Sequence, residues 1–597
     1  MRETGQPGPV SNPASNRPAP AARDALGALG ALAERWWQFQ RREFPFTAFL
    51  AGQPNADPTM FREAPADHER RAAEAASMRQ EIAAIDFCAL TPAERITHRM
   101  LEREIADLVE QHAVLSHLRP WLLPAGPEFT TFFFANSCQA GTAADAHTYV
   151  ERLATLPAFF ADVSACLAEG HARGLRFPRV VLTGALANLR QITTGAGAGG
   201  GGALGTEASP WFGPFKRSPA AAQPGVMREA ERARSVIEQG IVPAIGRLAE
   251  RVERELMPHA RDSIACTEDV LGAEYYSCWV RHFTTTTLEP RAIHALGLAE
   301  VARLDAEMAE VAREAGYAGR LAEYRRFLAE DPQFFATTGE ALRERLQVVA
   351  KTIDGKIPSF FGRLPRTSYG IESLPAATSA RLPPAYAQPN PADGSRSGIF
   401  WVSGLPQMVP TTMHVPLALH EGWPGHLMHI ALMQEQTALP AFRRANFTKY
   451  SACLEGWALY SETLGLDMGL YQTPHQHFGR LDMEMWRACR LAVDTGIHLE
   501  GWNRERAIDF MLAHLSLPRV TVEAEVDRYI AMPAQALGYQ IGGLKFRELR
   551  RRAEQRLGER FDIRAYHDQL MAAGPVTLPV LEEVVDGWLD ERVGQAA

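Results

Sequence analysis

The stretch Leu417-Ala-Leu-His-Glu-Gly-Trp-Pro-Gly-His426 places two histidines and a glutamate inside an otherwise apolar run. Histidine and glutamate side chains bind metal ions, and apolar neighbours keep such a site dry and its electrostatics strong. The adjacent pair His420-Glu421 forms half of the H-E-x-x-H zincin motif, in which the histidine binds zinc and the glutamate acts as general base. The competing interpretation is two buried histidines on a broken apolar helix.

The second histidine, His426, stands six residues after the first instead of four. On an unbroken helix His426 would lie about 120° around the axis and ~9 Å along it from His420, too far for one ion. Pro424 occupies the fourth position and clashes with the carbonyl of His420, and Gly425 permits conformations closed to other residues. We therefore expect the helix to end or kink here, which would return His426 to the metal. His429, on the opposite face of a regular helix, is a weaker candidate.

A third metal ligand is predicted in the stretch Tyr450-Ser-Ala-Cys-Leu-Glu-Gly-Trp-Ala-Leu-Tyr-Ser-Glu462, whose pattern indicates a helix. Glu455 and Glu462 are seven residues apart and share a face of that helix. A carboxylate among apolar neighbours is costly unless it is paired or bound to metal. We predict Glu455 as the ligand and Glu462 as the partner that orients a ligand histidine. The alternative is a solvated acidic stripe.

Two further clusters supply candidates for stabilising a developing negative charge. Arg490, Asp494 and His498 follow one another at four-residue intervals, so they line one helical face. They could hold the imidazole of His498 toward a cleft, or form a structural ladder of ion pairs. Tyr539, flanked by small residues in the segment 532–542, could donate a hydrogen bond to an oxyanion beside zinc. A tyrosine in a helix is otherwise a residue of the core.

Bulk properties exclude several classes of protein. The net charge of -8 and the pI near 6.2 lack the basic footprint of a nucleic-acid binder. Seven cysteines without any C-x-x-C pair argue against a disulfide framework or a cysteine-zinc knuckle. No run reaches the ~18 apolar residues of a membrane span, and the first 25 residues lack the apolar core of a signal peptide. We therefore expect a cytoplasmic protein with no membrane partner.

The pattern along the chain predicts a disordered tail over residues 1–24, a helical part over 25–390 that forms one wall of a cleft, and a metal-binding catalytic part over 391–597. Helices are predicted at 25–40, 68–90, 92–116, 227–257, 290–316 and 339–355, and almost throughout after 416. The aromatic and β-branched run 398–403 predicts a strand, whereas 364–396 is rich in Pro, Ser and Gly and predicts irregular structure. The glycine-rich run 195–205 lacks the context of a phosphate loop and indicates a flexible surface loop. The next segment, 210–215, could lie over a cleft.

With these segments identified, the chain resembles the large bacterial family catalogued as domain-of-unknown-function 885. The family hallmarks are His-Glu-x-x-Pro-Gly-His, Glu-Gly-Trp-Ala-Leu-Tyr-x-Glu, Arg-x-x-Asp-Thr-Gly-x-His and Pro-x-Gln-Ala-x-x-Tyr-x-Ile-Gly. They occur here in order at 420–426, 455–462, 490–498 and 533–542, and 391–401 resembles the family strand before the metal helix. One departure is Leu427, where family members often carry a second histidine.

The resemblance implies Zn²⁺ bound by His420, His426 and Glu455, with Glu421 as general base. It also implies an architecture similar to the helical oligopeptidases of the thimet type, with a channel between two helical halves. We therefore expect a mainly α, zincin-like body with a deep cleft and a small β-sheet near the metal helix.

The predicted activity is hydrolysis of amide bonds in short peptides. Glu421 would take a proton from water and pass it to the leaving amine, and either Tyr539 or His498 would stabilise the oxyanion. The strand around Phe400 would line the cleft and pair with an extended peptide. Two alternatives stay open, namely a zinc hydrolase of a non-peptide amide or ester, and a catalytically inactive helical scaffold. The sequence predicts neither the oligomeric state nor the native metal, since other divalent ions accept the same ligands.

Overall fold

The computed structural model describes residues 20–52, 57–124, 126–194, 206–374, 379, 383–392, 394, 396–445 and 449–594. The protein is 73% helical with one small sheet, which confirms the mainly α prediction. The α-helices are α1 (Pro20–Glu43), α2 (Pro45–Leu50), α3 (Pro65–Ala83), α4 (Pro92–Ala113), α5 (Pro127–Ser137), α6 (Ala143–Leu153), α7 (Leu156–Ala172), α8 (Arg179–Thr194), α9 (Gly213–Lys216), α10 (Pro224–Val236), α11 (Val242–Arg251), α12 (Gly272–Thr284), α13 (Pro290–Glu314), α14 (Leu321–Glu330), α15 (Gly339–Asp354), α16 (His414–Glu421), α17 (His426–Gln434), α18 (Ala441–Ala445), α19 (Ser451–Asp467), α20 (Pro474–Leu499), α21 (Arg504–His514), α22 (Arg519–Ala531), α23 (Leu537–Leu557), α24 (Ile563–Ala573) and α25 (Leu578–Gly594).

The residues at the helix N-termini explain where many of the helices begin. Many helices open with proline in their first turn, where the missing N–H has no helical partner to lose. At α4, Thr91 and Glu94 form the predicted capping box, in which each side chain satisfies a backbone N–H of the other. Thr473 and Gln476 form the same box at the start of α20, the longest described helix.

Some predicted boundaries differ from the structure. Of the predicted tail, residues 1–19 lie outside the described residues, and α1 already begins at Pro20. The predicted loop 195–205 also lies outside them. The sequence allows the segment 210–215 to be a loop over a cleft. In the structure, however, Trp211 is 1% exposed, and its indole N–H donates to Thr131 Oγ1 at 3.1 Å. That segment is part of the core because its aromatic side chains are buried there.

The sheet contains β1 (Tyr369–Ser373), β2 (Ala385–Gln388) and β3 (Gly398–Val402) in the order β1-β3-β2. The central strand β3 runs parallel to β1 and antiparallel to β2. The sequence predicted β3 but missed β1 and β2, which lie within the segment 364–396 and were predicted to be irregular. The proposal that the strand around Phe400 pairs with a peptide is wrong, because both edges of β3 are already hydrogen-bonded to β1 and β2.

Leu118, Cys166 and Leu175 form a small apolar cluster of their own, and most other buried apolar residues form one large cluster that extends from Ala25 to Leu589. Within it, the stretch Ala143–Ala172 has the length and mean hydropathy, 1.2, of a membrane span, contrary to the sequence expectation. However, 44% of that window is buried and the stretch is divided between α6 and α7, so this is weak evidence for a span. The sheet draws strands from both sides of residue 390, and the division at that residue stays a prediction.

Glycines set the closest helix contact near the site. A Cβ on Gly542 of α23 would lie 1.8 Å from the carbonyl oxygen of Ala452 and 2.8 Å from Cα of Gly456, both in α19. A Cβ on Gly538 would lie 3.4 Å from the amide nitrogen of Ala452. Because positions 452 and 456 meet 538 and 542 in the same order, α19 and α23 run parallel and nearly touch along their backbones.

Candidate metal centre

The predicted break between the two histidines is present. The helix α16 ends at Glu421 and α17 begins at His426, with a tight turn between them. A Cβ on Gly425 would lie 1.9 Å from the carbonyl oxygen of His420 and 2.4 Å from that of Leu419. Because no side chain fits this approach, glycine is required for the chain to fold back on the end of α16.

The turn is also held from α19. The indole N–H of Trp457 donates to the carbonyl oxygen of Pro424 at 2.8 Å, and the peptide bond between Trp423 and Pro424 is cis. Trp457 itself is fully buried. The turn therefore packs directly on the helix that carries Glu455, which fixes the two histidines relative to the carboxylate.

The structure brings His420, His426 and Glu455 together. Oε2 of Glu455 lies 3.4 Å from Nε2 of His420 and 3.4 Å from Nε2 of His426. The two imidazole rings are nearly perpendicular, with centroids 4.8 Å apart. Within the described residues this is the one group of three His, Cys, Asp or Glu side chains whose ligand atoms lie within 4.8 Å of each other.

The donor set fits Zn²⁺. Oε2 of Glu455 is buried and accepts no hydrogen bond from the described residues, although it faces both histidines. Leaving a buried carboxylate oxygen without a donor costs free energy that a cation would recover. Two imidazole nitrogens and one carboxylate oxygen form a common ligand set of catalytic zinc, which keeps one further position open.

Electrostatics couple these three side chains. Burial alone would raise the pKa of Glu455, but the two imidazoles hold the pKa of this carboxyl well below its usual range. Burial would lower the pKa of His420, whereas its contacts with Glu455 and Glu462 raise it to about 9. Both shifts have the same cause, the attraction between the carboxylates and positive charge on the imidazoles.

Glu462 takes the orienting role that the sequence predicted for it. Nδ1 of His420 donates to Oε1 of Glu462 at 2.8 Å, which leaves Nε2 of the ring to face Glu455. Oε1 of Glu462 also lies 3.5 Å from Nη2 of Arg487 in α20. Such a partner fixes the tautomer and orientation of a ligand histidine.

Glu421 is the last residue of α16, adjacent to His420. It is 7% exposed, and its negative charge acts on the adjacent His420, whose pKa it helps to raise.

His498 is not brought to the metal centre. It is fully buried; its Nδ1 accepts from the backbone N–H of Cys266 at 3.1 Å, and its Nε2 donates to the carbonyl of Tyr529 at 3.0 Å. Burial lowers the pKa of His498 to about 4. With both ring nitrogens engaged by the backbone, His498 has no donor left for an oxyanion, and its predicted catalytic role is wrong for this reason.

Asp494, which lies on the same helical face as His498, also has a structural role. It accepts hydrogen bonds from the hydroxyl of Tyr276 at 2.7 Å and from the backbone N–H of Ala534 at 2.9 Å. Burial raises the pKa of Asp494 to about 7. The face is thus not a ladder of ion pairs, since Asp494 and His498 each bind groups on other elements.

Tyr539 lies on the same side of the α19–α23 pair as Glu455. In parallel right-handed helices the side chains turn in the same sense. Glu455 comes one residue before the contact residue Gly456, and Tyr539 comes one residue after the contact residue Gly538. Both side chains therefore project to the same side. Tyr539 is half-buried.

Sequence reasoning singled out Arg490 but missed two charged residues of α22, Glu525 and Arg528, that lie beside Arg490 and Tyr539. Nη2 of Arg528 in α22 donates to the Tyr539 hydroxyl at 3.4 Å, and the guanidinium of Arg490 lies 4.3 Å from the centroid of its ring. Glu525, also in α22, accepts hydrogen bonds from both arginines. The i, i+3 pair on α22 resembles an ordinary surface ion pair in sequence, so no signal separated it from the others.

Solved structures that are similar to this chain include two that cover almost all of it. One is a protein from Colwellia psychrerythraea, provisionally described as a lipoprotein, with 27% identity, a TM-score of 0.85, and coverage of 96% of this chain and 99% of that one. The other, from Shewanella oneidensis, is provisionally described as a lipoprotein of unknown function, with 15% identity, a TM-score of 0.67, and coverage of 94% and 99%. At that identity the second structure supports the fold alone.

The expectation of a cytoplasmic location is contradicted by the similar protein from Colwellia psychrerythraea. Lipoproteins are held at a membrane by a lipid anchor, and that protein is provisionally described as a member of this class. The sequence argument rested on the absence of a recognisable leader, which is a weaker observation than a likeness over almost the whole chain.

No curated protein matches the chain. A family model described as bacterial protein of unknown function (DUF885) matches residues 45–585. This match covers most of the chain, including every helix and strand of the candidate site, and the chain therefore belongs to the DUF885 family.

Proposed function

We propose that this protein is a zinc-dependent hydrolase that cleaves amide bonds in short peptides, with His420, His426 and Glu455 as the metal ligands. The observation that carries the proposal is the convergence of Nε2 of both histidines on Oε2 of Glu455, a buried oxygen for which the described residues supply no hydrogen-bond donor. A buried group of this kind is explained by a cation that the protein is built to hold.

The chemistry divides among the surrounding residues. Bound Zn²⁺ would supply Lewis acidity and make water nucleophilic near neutral pH. Glu421 accepts the proton of the attacking water and passes it to the leaving amine, for which its position next to the ligand His420 suits it. The Tyr539 hydroxyl donates a hydrogen bond to the oxyanion, and Glu462 keeps His420 in the tautomer that presents Nε2.

The place of action follows the similar protein from Colwellia psychrerythraea. Because that protein is provisionally described as a lipoprotein, the proposed hydrolase acts outside the cytoplasm. Short peptides at the cell envelope are then the class of substrate to test first.

The test measures metal content and peptide cleavage in the parent protein, in Glu421→Gln, and in the control Glu344→Gln, which changes an exposed glutamate of α15. We expect about one zinc per chain in all three. A mixed peptide library should be cleaved by the parent and the control, with a loss of at least about 100-fold in Glu421→Gln because the general base is gone.

Other outcomes count against the proposal in distinct ways. Zinc in all three proteins without cleavage would exclude peptides and shift the search to non-peptide amides and esters. A parent protein that takes up no zinc, even when zinc is supplied, would contradict the metal site itself. The remaining interpretation would then be a catalytically inactive helical scaffold. Equal cleavage by the parent and Glu421→Gln would contradict the role of Glu421.

A further inference from the structure

A group of charged and aromatic side chains, here called the arginine cluster, lies where α20, α22 and the start of α23 meet. It consists of Arg490, Glu525, Arg528, Tyr529 and Tyr539. Nη2 of Arg490 donates to Glu525 at 2.9 Å and Nη1 of Arg528 donates to the same carboxylate at 3.1 Å. The hydroxyl of Tyr529 donates to Glu525 at 2.7 Å and accepts from Nε of Arg490 at 3.1 Å.

The arginine cluster has an excess of positive charge. Burial alone would raise the pKa of Glu525, but the two arginines lower it to about 2, so this group is a carboxylate at neutral pH. Two guanidinium groups and one carboxylate give a net charge of +1. The side chains of Arg490, Arg528 and Glu525 are 5%, 15% and 14% exposed, so solvent screens this charge weakly.

One N–H donor of the arginine cluster has no acceptor among the described residues. Nη1 of Arg490 is buried and has no hydrogen-bond acceptor among the described residues, while Nε and Nη2 are both engaged. The guanidinium is held against the rings of Tyr539 and Trp486, with its Cζ 4.3 and 4.8 Å from the centroids. An unpaired buried guanidinium N–H is costly unless an acceptor arrives, and a carboxylate is the acceptor that matches its geometry best.

The position of the arginine cluster relative to the metal centre follows from α20. Arg487 of α20 approaches Glu462, which binds His420, and Arg490 lies one turn further along the same helix, about 4.5 Å on. Arg490 contacts Tyr539, whose side chain projects to the same side of the α19–α23 pair as Glu455. The arginine cluster therefore flanks the metal centre on the side of Tyr539.

We propose that Arg490 and Arg528 bind the free C-terminal carboxylate of the substrate, so that the enzyme removes residues from the C-terminus. This inference rests on the proposed function. If the Tyr539 hydroxyl contacts the carbonyl oxygen of the scissile amide, Nη2 of Arg528, 3.4 Å from that hydroxyl, reaches a carboxylate one or two residues further along. Consecutive Cα atoms are about 3.8 Å apart, so a longer C-terminal leaving segment would place its carboxylate beyond the guanidinium.

The experiment measures binding without turnover. The zinc-loaded Glu421→Gln protein is titrated by calorimetry with the tripeptide Ala-Ala-Ala and with the same tripeptide as its C-terminal amide. We expect the free acid to bind about 10- to 100-fold more tightly, the range typical of hydrogen bonds to a charged partner. Adding Arg528→Gln should bring the affinity for the acid down to that for the amide and leave the amide unchanged.

Matched variants separate binding from folding. Arg519→Gln removes an exposed arginine of the same helix, α22, and should leave both affinities unchanged. If circular dichroism shows that Arg528→Gln does not fold, Arg528→Lys keeps the ion pair with Glu525 and should lose about 3- to 10-fold in affinity for the acid alone, because the bidentate geometry is lost. Equal affinities for acid and amide in the Glu421→Gln protein, or no binding of either peptide, would overturn the proposal.

The same peptides given to the parent protein distinguish this inference from the proposed function. A preference for the acid in binding, with no cleavage of either peptide, would leave the carboxylate site standing and count against the cleavage of short peptides. Cleavage of both peptides at the same rate would leave the hydrolase standing and contradict the carboxylate site.

Discussion

Two buried residues next to the ligands, Glu462 and Gly425, are not themselves ligands but determine where the imidazoles lie. Glu462 acts through a hydrogen bond of 2.8 Å to Nδ1 of His420, and Gly425 acts by having no side chain where the turn meets the end of α16. Each role leads to a variant whose effect differs from that of removing a ligand.

Glu462→Gln is expected to weaken zinc affinity by about 10- to 100-fold while leaving the stoichiometry at one ion, because the ligand atoms remain but the ring is no longer fixed by a charged partner. Competition with a chromogenic zinc chelator measures this change. The control Asp467→Asn, at the exposed end of the same helix, should bind zinc as the parent does. Unchanged affinity in Glu462→Gln would show that Glu462 does not orient His420.

Gly425→Ala is expected to abolish zinc binding and to lower stability by about 2 to 4 kcal/mol, because a methyl group at 1.9 Å from the carbonyl of His420 forces the turn open. Zinc content and the midpoint of urea unfolding test both effects. Gly246→Ala is the matched control, since a Cβ there, within α11, has nothing within 4 Å. It should be neutral or gain up to about 1 kcal/mol of helix propensity. A Gly425→Ala protein that keeps its zinc would contradict the account of the turn.

At the scale of elements, the sequence predicts what is local and misses what depends on partners. The helix α4 and its capping box are encoded within a few residues, and so is the strand β3 with its aromatic and β-branched run. The strands β1 and β2 are short, and their segment is rich in Pro, Ser and Gly. Their pairing with β3 defines them, and no local pattern reveals that.

The same distinction separates the site residues. His420, His426 and Glu455 come from two short segments whose spacing and apolar context point to a metal. Arg528 is different, because only the meeting of α22 with α20 and α23 brings it to Tyr539. His498 failed as a prediction because helical spacing places it on a face but does not reveal that two backbone groups occupy its ring nitrogens.

The start of α19 is held to the N-terminal helices by Glu104 of α4. This buried carboxylate accepts hydrogen bonds from Trp36 and Gln40 of α1 at 2.7 and 2.6 Å, and from Lys449 and Tyr450 before α19 at 3.1 and 2.7 Å. Donors from separate elements thus converge on one side chain. Its replacement is expected to loosen the helix that carries Glu455.

Glu104→Gln should destabilise the protein by about 3 kcal/mol, because it leaves Lys449 without its counter-charge and turns an amide NH₂ toward donors. Urea unfolding of the variant measures the loss, with Glu102→Gln, an exposed neighbour on α4, as the control that should change by less than about 0.5 kcal/mol. A stability loss as small as that of the control would show that Glu104 does not hold the start of α19 to the N-terminal helices.

At the scale of the whole molecule, one large apolar cluster runs from Ala25 to Leu589, so a buried titratable group in one region affects the stability of the entire body. Glu128 in α5 is such a group. It is 5% exposed, and burial raises its pKa from 4.5 to about 7, against a smaller opposing backbone hydrogen bond. A raised pKa in the folded state means that folding favours the protonated acid.

The sign of the pH dependence follows directly. The stability that comes from the neutral Glu128 is fully present below the unfolded pKa near 4.5 and is lost as the pH rises through about 7. Glu128→Gln keeps a neutral side chain at every pH, so it should gain stability over the parent between pH 5 and 8, up to about 3 kcal/mol. Thermal unfolding across this range tests the prediction, with the exposed Glu274→Gln as a control for the loss of one charge. A difference between parent and Glu128→Gln that stays constant from pH 5 to 8 would show that Glu128 is not desolvated in the folded protein.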